Sequence, residues 1–302
     1  MINRNIAITG ATGFLGKNLT LNLSKNGFNV RGFSRSEKRS FNRNSVLWFY
    51  GKLDDKKITS SFIENCETVI HIAGLTKARK PSDFYKVNRD LTRQFIEICK
   101  DKKIKRFIYI SSLAAKEPGI SHYSSSKKQA EELLDCYRPF MEIIILRPPV
   151  IYGPGDKEAS ILFRMTLMGI VFAPGGRDNR VSMIYVEDLC EAIEACINKN
   201  QINYSIEIDD GKDGGYSWAE LVETSANVLN KKTRIVYVPD LILWFLGFFG
   251  SLYSFIFSPV MLTLHKVPEI LHKEWVSKGH KIKGWKSKNS INEGFKKTLN
   301  LS

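Results

Sequence analysis

Tyr123 and Lys127 stand four residues apart, and this spacing puts both side chains on the same face of a helix. A free tyrosine has a pKa of about 10. A positive charge beside the phenol favours its ionised form. The pair therefore predicts a general acid or base, Tyr123, that acts on a substrate oxygen.

Two serine hydroxyls precede this pair along the chain. The apolar run Arg106–Ser111 has the composition of a buried strand, and Ser112 follows it directly. Residues at the carboxyl ends of parallel strands face the ligand crevice of the sheet. We therefore expect a serine hydroxyl to orient the substrate carbonyl or alcohol beside Tyr123.

Three glycines lie between the first apolar run, Asn5–Thr9, and a helix that begins at Phe14. Glycines at a strand-to-helix junction allow a tight turn and a close approach of the backbone to a pyrophosphate, and the helix N-terminus stabilises the anion. The segment predicts a dinucleotide-binding loop. Its contacts are expected from Gly10, Thr12, Gly13, Phe14, Leu15 and Gly16.

Short apolar runs alternate with segments of helical period, which predicts parallel βαβ units. The strands are expected at 5–9, 29–33, 46–50, 68–72, 106–111, 141–146, 205–208 and 234–238. The helices are expected at 14–26, 82–101, 123–137, 186–198 and 217–230. These elements predict an α/β fold, a Rossmann-type doubly wound parallel sheet with a smaller C-terminal substrate lobe.

This fold divides the chain into two regions. The dinucleotide-binding Rossmann domain is placed at residues 1–150, with returning elements around 180–210. The substrate-binding lobe is placed mainly at 151–302 and includes the apolar stretch 241–264.

Two further patterns are specific enough to compare with known families: the glycine spacing G-x-x-G-x-x-G and the segment R-P-P-V-I-Y-G-P-G-D at 147–156. With the Tyr–Lys pair, they resemble the extended short-chain dehydrogenase/reductase family, often described as NAD-dependent epimerase/dehydratase. The resemblance covers nearly the whole chain. It implies an enzyme with a nicotinamide cofactor, in which the catalytic set is Ser112, Tyr123 and Lys127, with Ser112 chosen over Ser111.

The same resemblance implies further cofactor contacts. In the family, the segment that matches His71–Gly74 lies along the cofactor, which assigns Ala73 and Gly74 to it. Pro148 borders the nicotinamide, Lys127 bonds to its ribose, and Leu53 lies in the segment near the adenine. These assignments make the cofactor-binding set Gly10, Thr12, Gly13, Phe14, Leu15, Gly16, Arg35, Leu53, Ala73, Gly74, Tyr123, Lys127 and Pro148. Asn88 is expected to support the active-site strand.

Arg35 decides the expected form of the cofactor. An acidic residue at the end of the second strand usually binds the ribose hydroxyls of NAD, whereas an arginine there accepts a 2′-phosphate. The strand end here carries Arg35, with Arg31 and Lys38 nearby and no carboxylate at the expected position. The sequence therefore favours NADP, with NAD as the alternative.

The overall composition limits the other partners. The 302 residues carry a net charge of +14, which is compatible with an anionic partner or with simple solubility. No recognised nucleic-acid motif accompanies the charge, so we expect no nucleic-acid partner. The five cysteines form no C-x-x-C pair, and His71 has no second ligand nearby, so no metal is expected. These features, with no signal peptide at the N-terminus, favour a cytoplasmic protein, and a homodimer is left open.

The stretch 241–264 contains no charged residue and is rich in aromatic side chains. Three interpretations are open: a buried helix pair that lines an apolar substrate pocket, peripheral contact with a membrane, or a membrane span. Of these, the pocket is favoured.

The predicted function is hydride transfer between nicotinamide and a secondary alcohol or ketone of a small-molecule substrate, with an apolar or lipid-like substrate suggested by the aromatic stretch. Two alternatives remain. One is a sugar-nucleotide epimerase or dehydratase, although Ser112 and Tyr123 are closer together than is usual there. The other is a regulator or assembly subunit that binds the cofactor without turnover.

Overall fold

The computed structural model describes residues 4–41, 45–198, 205–257, 260, 262–279 and 282–301. Its strands are β1 Asn5–Thr9, β2 Asn29–Ser34, β3 Val46–Tyr50, β4 Thr68–His71, β5 Arg106–Ile110, β6 Glu142–Arg147, β7 Val150–Tyr152, β8 Ile170–Pro174, β9 Arg180–Val181, β10 Met183–Tyr185, β11 Ser205–Glu207, β12 Tyr216–Ser217, β13 Arg234–Val238 and β14 Glu274–Trp275. Its α-helices are α1 Phe14–Lys25, α2 Lys56–Phe62, α3 Pro81–Phe84, α4 Leu91–Asp101, α5 His122–Asp135, α6 Lys157–Leu167, α7 Val186–Asn198, α8 Trp218–Leu229, α9 Asp240–Ile256, α10 Val267–Leu271 and α11 Ile291–Thr298.

Seven parallel strands form the central sheet, in the order β11-β6-β5-β4-β1-β2-β3. Helices α1 and α7 cover one face, and α2, α4 and α5 cover the other, so the strands are buried on both sides. Burial on both faces explains their continuous apolar runs. The predicted Rossmann-type doubly wound sheet is confirmed, and its strand order reverses between β1 and β4, where ligands bind in such folds.

The helix predicted at 82–101 is not continuous. Between α3 and α4 the backbone forms a π-helical turn over Tyr85–Asp90. Such a turn inserts one extra residue into a helix and often marks a functional site. Here it contains Asn88, whose buried side chain makes the contacts described below.

A second apolar core lies outside the main sheet. It joins α6, α8 and α11, and at its centre the ring of Phe295 meets those of Tyr152 and Phe163 edge to face. Helix α11 can approach Tyr152 only because residue 294 is glycine: a Cβ atom there would lie 2.1 Å from the tyrosine hydroxyl oxygen.

Helix α9 contains the first part of the aromatic stretch. It buries Leu243, Gly247 and Ser254 but leaves most of its large apolar side chains exposed, among them Phe255, which is 69% exposed. The favoured interpretation of a buried helix pair is therefore wrong for this helix. Within the described ranges, no helix has both the length and the apolarity that crossing a bilayer requires.

Candidate active site

The glycine loop connects β1 to α1 under tight steric limits. Gly10 has φ +69°, and a Cβ atom on it would lie 2.7 Å from the backbone nitrogen of Ala73. A Cβ atom on Gly16 would lie 2.1 Å from the carbonyl oxygen of Gly10. Gly13 is the N-cap of α1 and offers no side chain to the first turn. The backbone N–H groups there can bind an anion, which is the property a pyrophosphate needs.

A cavity of about 770 Å³ opens above this loop at the carboxyl ends of the central strands. It brings together nine of the residues predicted from the sequence: Thr12, Gly13, Phe14, Leu15, Gly74, Ser112, Tyr123, Lys127 and Pro148. The glycine loop and the predicted proton-transfer residues thus share one space. Lys17 and Lys77 also line it and add positive charge that the motifs did not indicate.

Tyr123 lies in the first turn of α5, with its side chain at the border of a smaller cavity. It is 8% exposed. Burial raises the pKa of its phenol to about 12; a hydrogen bond with Ser112 acts in the opposite direction, and the carboxylate of Glu269 adds to the rise. The phenol of the free protein is therefore protonated at neutral pH and can donate its proton.

Ser112 is fixed by its own backbone turn. It follows β5 and is the N-cap of a 3₁₀ turn over Leu113–Lys116, in which its hydroxyl accepts from the N–H of Ala114 at 3.2 Å. A hydroxyl has two acceptor lone pairs and one donor. The Ser112 hydroxyl can therefore contact Tyr123 and a substrate oxygen while it caps the turn.

Lys127 lies one helical turn beyond Tyr123 and is 5% exposed. Its ammonium donates to the carbonyl oxygen of Ile110 at 2.9 Å and lies over the Tyr109 ring, 4.8 Å from the ring centre. Burial lowers its pKa to about 8, and the carboxylate of Glu131 partly opposes that change. At pH 7 the ammonium is therefore charged and adds a positive potential to the site.

Ser111 has a different environment from Ser112. Its hydroxyl donates to Glu131 at 2.5 Å, and the same carboxylate accepts two hydrogen bonds from Arg147, at 2.9 and 2.5 Å. This buried network joins the end of β5 to α5 and to the start of the loop after β6. Ser111 is thus held by the structural network, whereas Ser112 lies beside Tyr123.

Asn88 links the π-helical turn to the catalytic helix. Its carbonyl oxygen accepts from the N–H of Leu75 at 2.7 Å, and its amide donates to Leu75 O and to the Ser126 hydroxyl, at 3.1 and 3.0 Å. Ser126 lies between Tyr123 and Lys127 in sequence. Asn88 therefore positions both the segment after β4 and the helix that carries the catalytic pair.

His71 is a core residue. Its ring contacts the hydroxyls of Thr9 and Thr92, at 2.7 and 3.0 Å. Burial, with a smaller contribution from Lys127, lowers its pKa to about 3, so the ring is neutral. Among the described residues, no group of three potential ligands could hold a metal ion.

The other predicted cofactor residues lie outside the lining of the large cavity. Gly10, Gly16 and Ala73 form the packed base of the glycine loop. Leu53 is buried in the core beneath α2. Arg35 lies exposed just after β2, and the guanidinium of Arg31 donates instead to the carbonyl oxygen of Ser61.

Three residues beside Tyr123 were not found from the sequence. Lys266, Glu269 and Trp275 line a cavity of about 210 Å³ that also contacts Ser112 and Tyr123. They lie more than 140 residues after Tyr123 in a segment without a recognisable motif. The sequence offered one signal, a lysine, Lys266, that follows the uncharged aromatic-rich stretch 241–264.

A dinucleotide fits the residues that are present. Its phosphates would meet the N-terminus of α1, where Gly13 carries no side chain. Glycines stand where a Cβ atom would clash within the loop, and lysines line the cavity. Gly74, Lys127 and Pro148 line the same cavity and would contact its nicotinamide half.

Known proteins resemble the chain in both sequence and structure. The model of the NAD dependent epimerase/dehydratase family matches residues 6–208. A ceramide reductase from Caulobacter vibrioides is 34% identical, over 97% of this chain and 93% of that protein. A UDP-glucose 4-epimerase from Vibrio cholerae is 29% identical, over 98% of this chain and 94% of that protein. The solved structure of UDP-glucose 4-epimerase from Thermotoga maritima with UDP-glucose has a TM-score of 0.75 at 21% identity and covers 98% of this chain and 97% of that chain, which shows the shared fold.

Proposed function

The chain belongs to the NAD dependent epimerase/dehydratase family, and from that premise we propose that it is an NADP-dependent reductase of a ketone in a ceramide-like lipid. The observation that carries the proposal is the cavity that brings Ser112, Tyr123 and Lys127 together beside the glycine loop. The match to a ceramide reductase over 97% of the chain supports the substrate class.

Each residue of the catalytic set has a separate role in this reaction. The cofactor supplies a hydride to the substrate carbon when it is bound. Ser112 donates a hydrogen bond to the substrate carbonyl oxygen and orients it. Tyr123 gives its phenolic proton to that oxygen as negative charge develops, and the charged Lys127 stabilises the resulting phenolate.

The substrate class also has support from the surface near the site. The segment from 257 to 266 connects helix α9, with its exposed aromatic face, to Lys266 beside Tyr123. An acyl chain could lie along such a face while the polar end reaches the cavity. Exposed apolar patches of this kind mark interaction or ligand sites.

The function is tested with a ceramide analogue whose secondary alcohol is oxidised to a ketone, presented in mixed micelles. Purified protein should oxidise one NADPH for each alcohol formed, measured by absorbance and mass spectrometry. Protein heated to denaturation serves as the control. Turnover of UDP-glucose to UDP-galactose without net NADPH use, and no reduction of the ketone, would refute the proposal.

The second candidate function is a sugar-nucleotide epimerase, favoured by the 29% identity to the epimerase from Vibrio cholerae. It would use the same proton transfer but return the hydride to the substrate. The link between Ser112 and Tyr123 disfavours it, because that link is short and begins with the 3₁₀ turn over Leu113–Lys116.

We propose NADP rather than NAD as the preferred cofactor, because an exposed arginine, Arg35, follows β2 at the position where NAD-binding proteins usually carry a carboxylate. Replacing Arg35 with alanine should weaken NADPH binding about tenfold and leave NADH binding within about twofold, since a charge-assisted hydrogen bond to the 2′-phosphate is lost. Fluorescence titration with both cofactors measures this, and Arg39→Ala is the control. Equal weakening of both cofactors would contradict the assignment.

We also propose that α9 contacts an anionic membrane surface. Arg79 and Lys80 are exposed, and the Arg79 guanidinium donates to the carbonyl oxygen of Phe257 at the end of α9, which places positive charge beside its aromatic face. Replacing Phe245 and Phe255 with glutamate should lower binding to phosphatidylglycerol vesicles by more than about tenfold, because burial of each ring is worth about 1.5–3 kcal/mol. Vesicle sedimentation measures the loss.

Phe140→Glu is the matched control for this membrane experiment, since Phe140 is an exposed phenylalanine on a different part of the fold. It should leave sedimentation unchanged. If wild-type protein stays in the supernatant with anionic vesicles, α9 has another occupant.

A further inference from the structure

Lys266 is a buried cation that the reaction described above does not use. It is 6% exposed, and its ammonium lies 4.2 Å from the centre of the Tyr123 ring. Burying an ammonium is costly unless it is paired. Its position beside the reacting phenol therefore points to a function.

Glu269 is its partner and ties it to the catalytic helix. One carboxylate oxygen accepts from Lys266 at 2.6 Å, and the other accepts from the hydroxyl of Ser121 at 2.8 Å. Ser121 is the N-cap of α5, the helix that carries Tyr123 and Lys127. The pair is thus held in a fixed position relative to the proton donor.

The pair also forms part of a binding space. Lys266, Glu269 and Trp275 line the cavity of about 210 Å³ that Ser112 and Tyr123 also line. An ammonium has three N–H donors. Over the described part of the chain, Glu269 is the one hydrogen-bond acceptor that the Lys266 ammonium reaches. Donors of the ammonium therefore remain for a ligand in this cavity, which Ser112 and Tyr123 also line.

We propose that Lys266 and Glu269 form a subsite for a polar group that flanks the substrate carbonyl. Lys266 donates to an oxygen of that group, and Glu269 accepts from its N–H or O–H. This inference rests on the proposed reductase function and narrows the substrate to ketones with an amide or hydroxyl group close to the carbonyl. A plain alkanone would leave the remaining donors of the Lys266 ammonium without an acceptor.

Replacing Lys266 with methionine tests the subsite in the NADPH-loaded protein. Two substrates are compared: the N-octanoyl ceramide analogue with a ketone, and octadecan-3-one, which lacks the amide and hydroxyl groups. The KM for the amide-bearing ketone should rise about tenfold or more, as expected for loss of a hydrogen bond to a charged group. The KM for octadecan-3-one should change much less, so kcat/KM should fall about tenfold more for the amide-bearing ketone than for octadecan-3-one. Lys266→Arg should restore part of the affinity.

Lys116→Met is the matched control, because the Lys116 ammonium donates to the Val276 carbonyl oxygen in the same region without lining the cavity. It should change neither KM. Equal losses of kcat/KM on both ketones in Lys266→Met would mean that Lys266 acts through Tyr123, and this would overturn the subsite.

A binding measurement separates the subsite from the proposed reaction. The NADP⁺-loaded protein is titrated by calorimetry with N-octanoylsphinganine. Binding that Lys266→Met weakens about tenfold supports the subsite, even if no ketone is reduced, which would overturn the reductase proposal alone. Binding that Lys266→Met leaves unchanged overturns the subsite, whatever the turnover. No binding to wild-type protein overturns both.

Discussion

Replacing Tyr123 with phenylalanine is expected to lower kcat for ketone reduction about 10²- to 10⁴-fold, the usual contribution of a positioned general acid. Phenylalanine preserves the ring that packs against Phe84 and faces Lys266, but it has no proton to give. The dissociation constant for NADPH should remain within about twofold, because the glycine loop and the rest of the cavity are unchanged. Steady-state kinetics and a cofactor titration together measure the two quantities.

Tyr137→Phe is the control for this replacement. Tyr137 follows the same helix, but its phenol donates to Glu97 on the outer side of the fold. Its loss should leave kcat unaltered. A Tyr123→Phe variant with wild-type turnover would remove the proposed proton donor from the reaction.

The pH dependence of the wild-type enzyme follows from the two buried groups. Tyr123, with its pKa raised to about 12, keeps its proton through neutral and mildly alkaline pH. Lys127, with its pKa lowered to about 8, loses its charge as the pH rises through that value. Ketone reduction should therefore be nearly constant below about pH 8 and decline above it, because the phenolate formed in the reaction loses its neighbouring cation. The rate of ketone reduction measured across this pH range is the second test of the proton-transfer assignment.

The central sheet could be predicted closely because its strands are buried on both faces. Asn5–Thr9, whose last four residues are buried, has the bounds that its apolar run indicates, and Thr68–His71, which is buried throughout, is one residue shorter than predicted. The glycine loop and the Tyr–Lys spacing are also local patterns. Each depends on contacts within a few residues, so each can be recognised without the tertiary structure.

The features that the sequence did not reveal depend on distant packing. The π-helical turn at Tyr85–Asp90 cannot be told from a regular helix by apolar spacing, since one inserted residue changes the period only locally. The aromatic residues of α9 would look the same in a buried helix and in an exposed one. Lys266 reaches Tyr123 through the tertiary fold, so no spacing along the chain could place it in the site.

Replacing Glu131 with glutamine should lower the free energy of unfolding by about 3 kcal/mol, near the lower end of the range for breaking a buried ion pair. Glu131 is 2% exposed and accepts hydrogen bonds from Ser111 and Arg147. The amide preserves the shape but leaves the Arg147 guanidinium without its main counter-charge. Glu207 lies 3.9 Å from that guanidinium and offsets part of the loss. Urea unfolding followed by circular dichroism measures the difference.

Glu132→Gln is the matched control, because the neighbouring carboxylate has a 59% exposed side chain and lies 3.7 Å from Lys128. An exposed pair of this kind contributes less than about 1 kcal/mol. If both variants lose the same small amount of unfolding free energy, the buried network does not stabilise the fold.

The Glu131 network also bears on catalysis, because Ser111 lines the large cavity and Arg147 adjoins it. Ser111 precedes Ser112, and Arg147 precedes Pro148 at the cavity. A combined replacement of Glu131 with leucine and Arg147 with methionine removes the unpaired guanidinium, while Glu207 keeps its hydrogen bond from the N–H of Lys278. The double variant should therefore recover part of the stability that Glu131→Gln loses. It should not recover turnover to the same extent, because the Ser111 hydroxyl then has no carboxylate to hold the end of β5. Recovery of stability without recovery of kcat would show that the network positions Ser112 as well as supporting the fold.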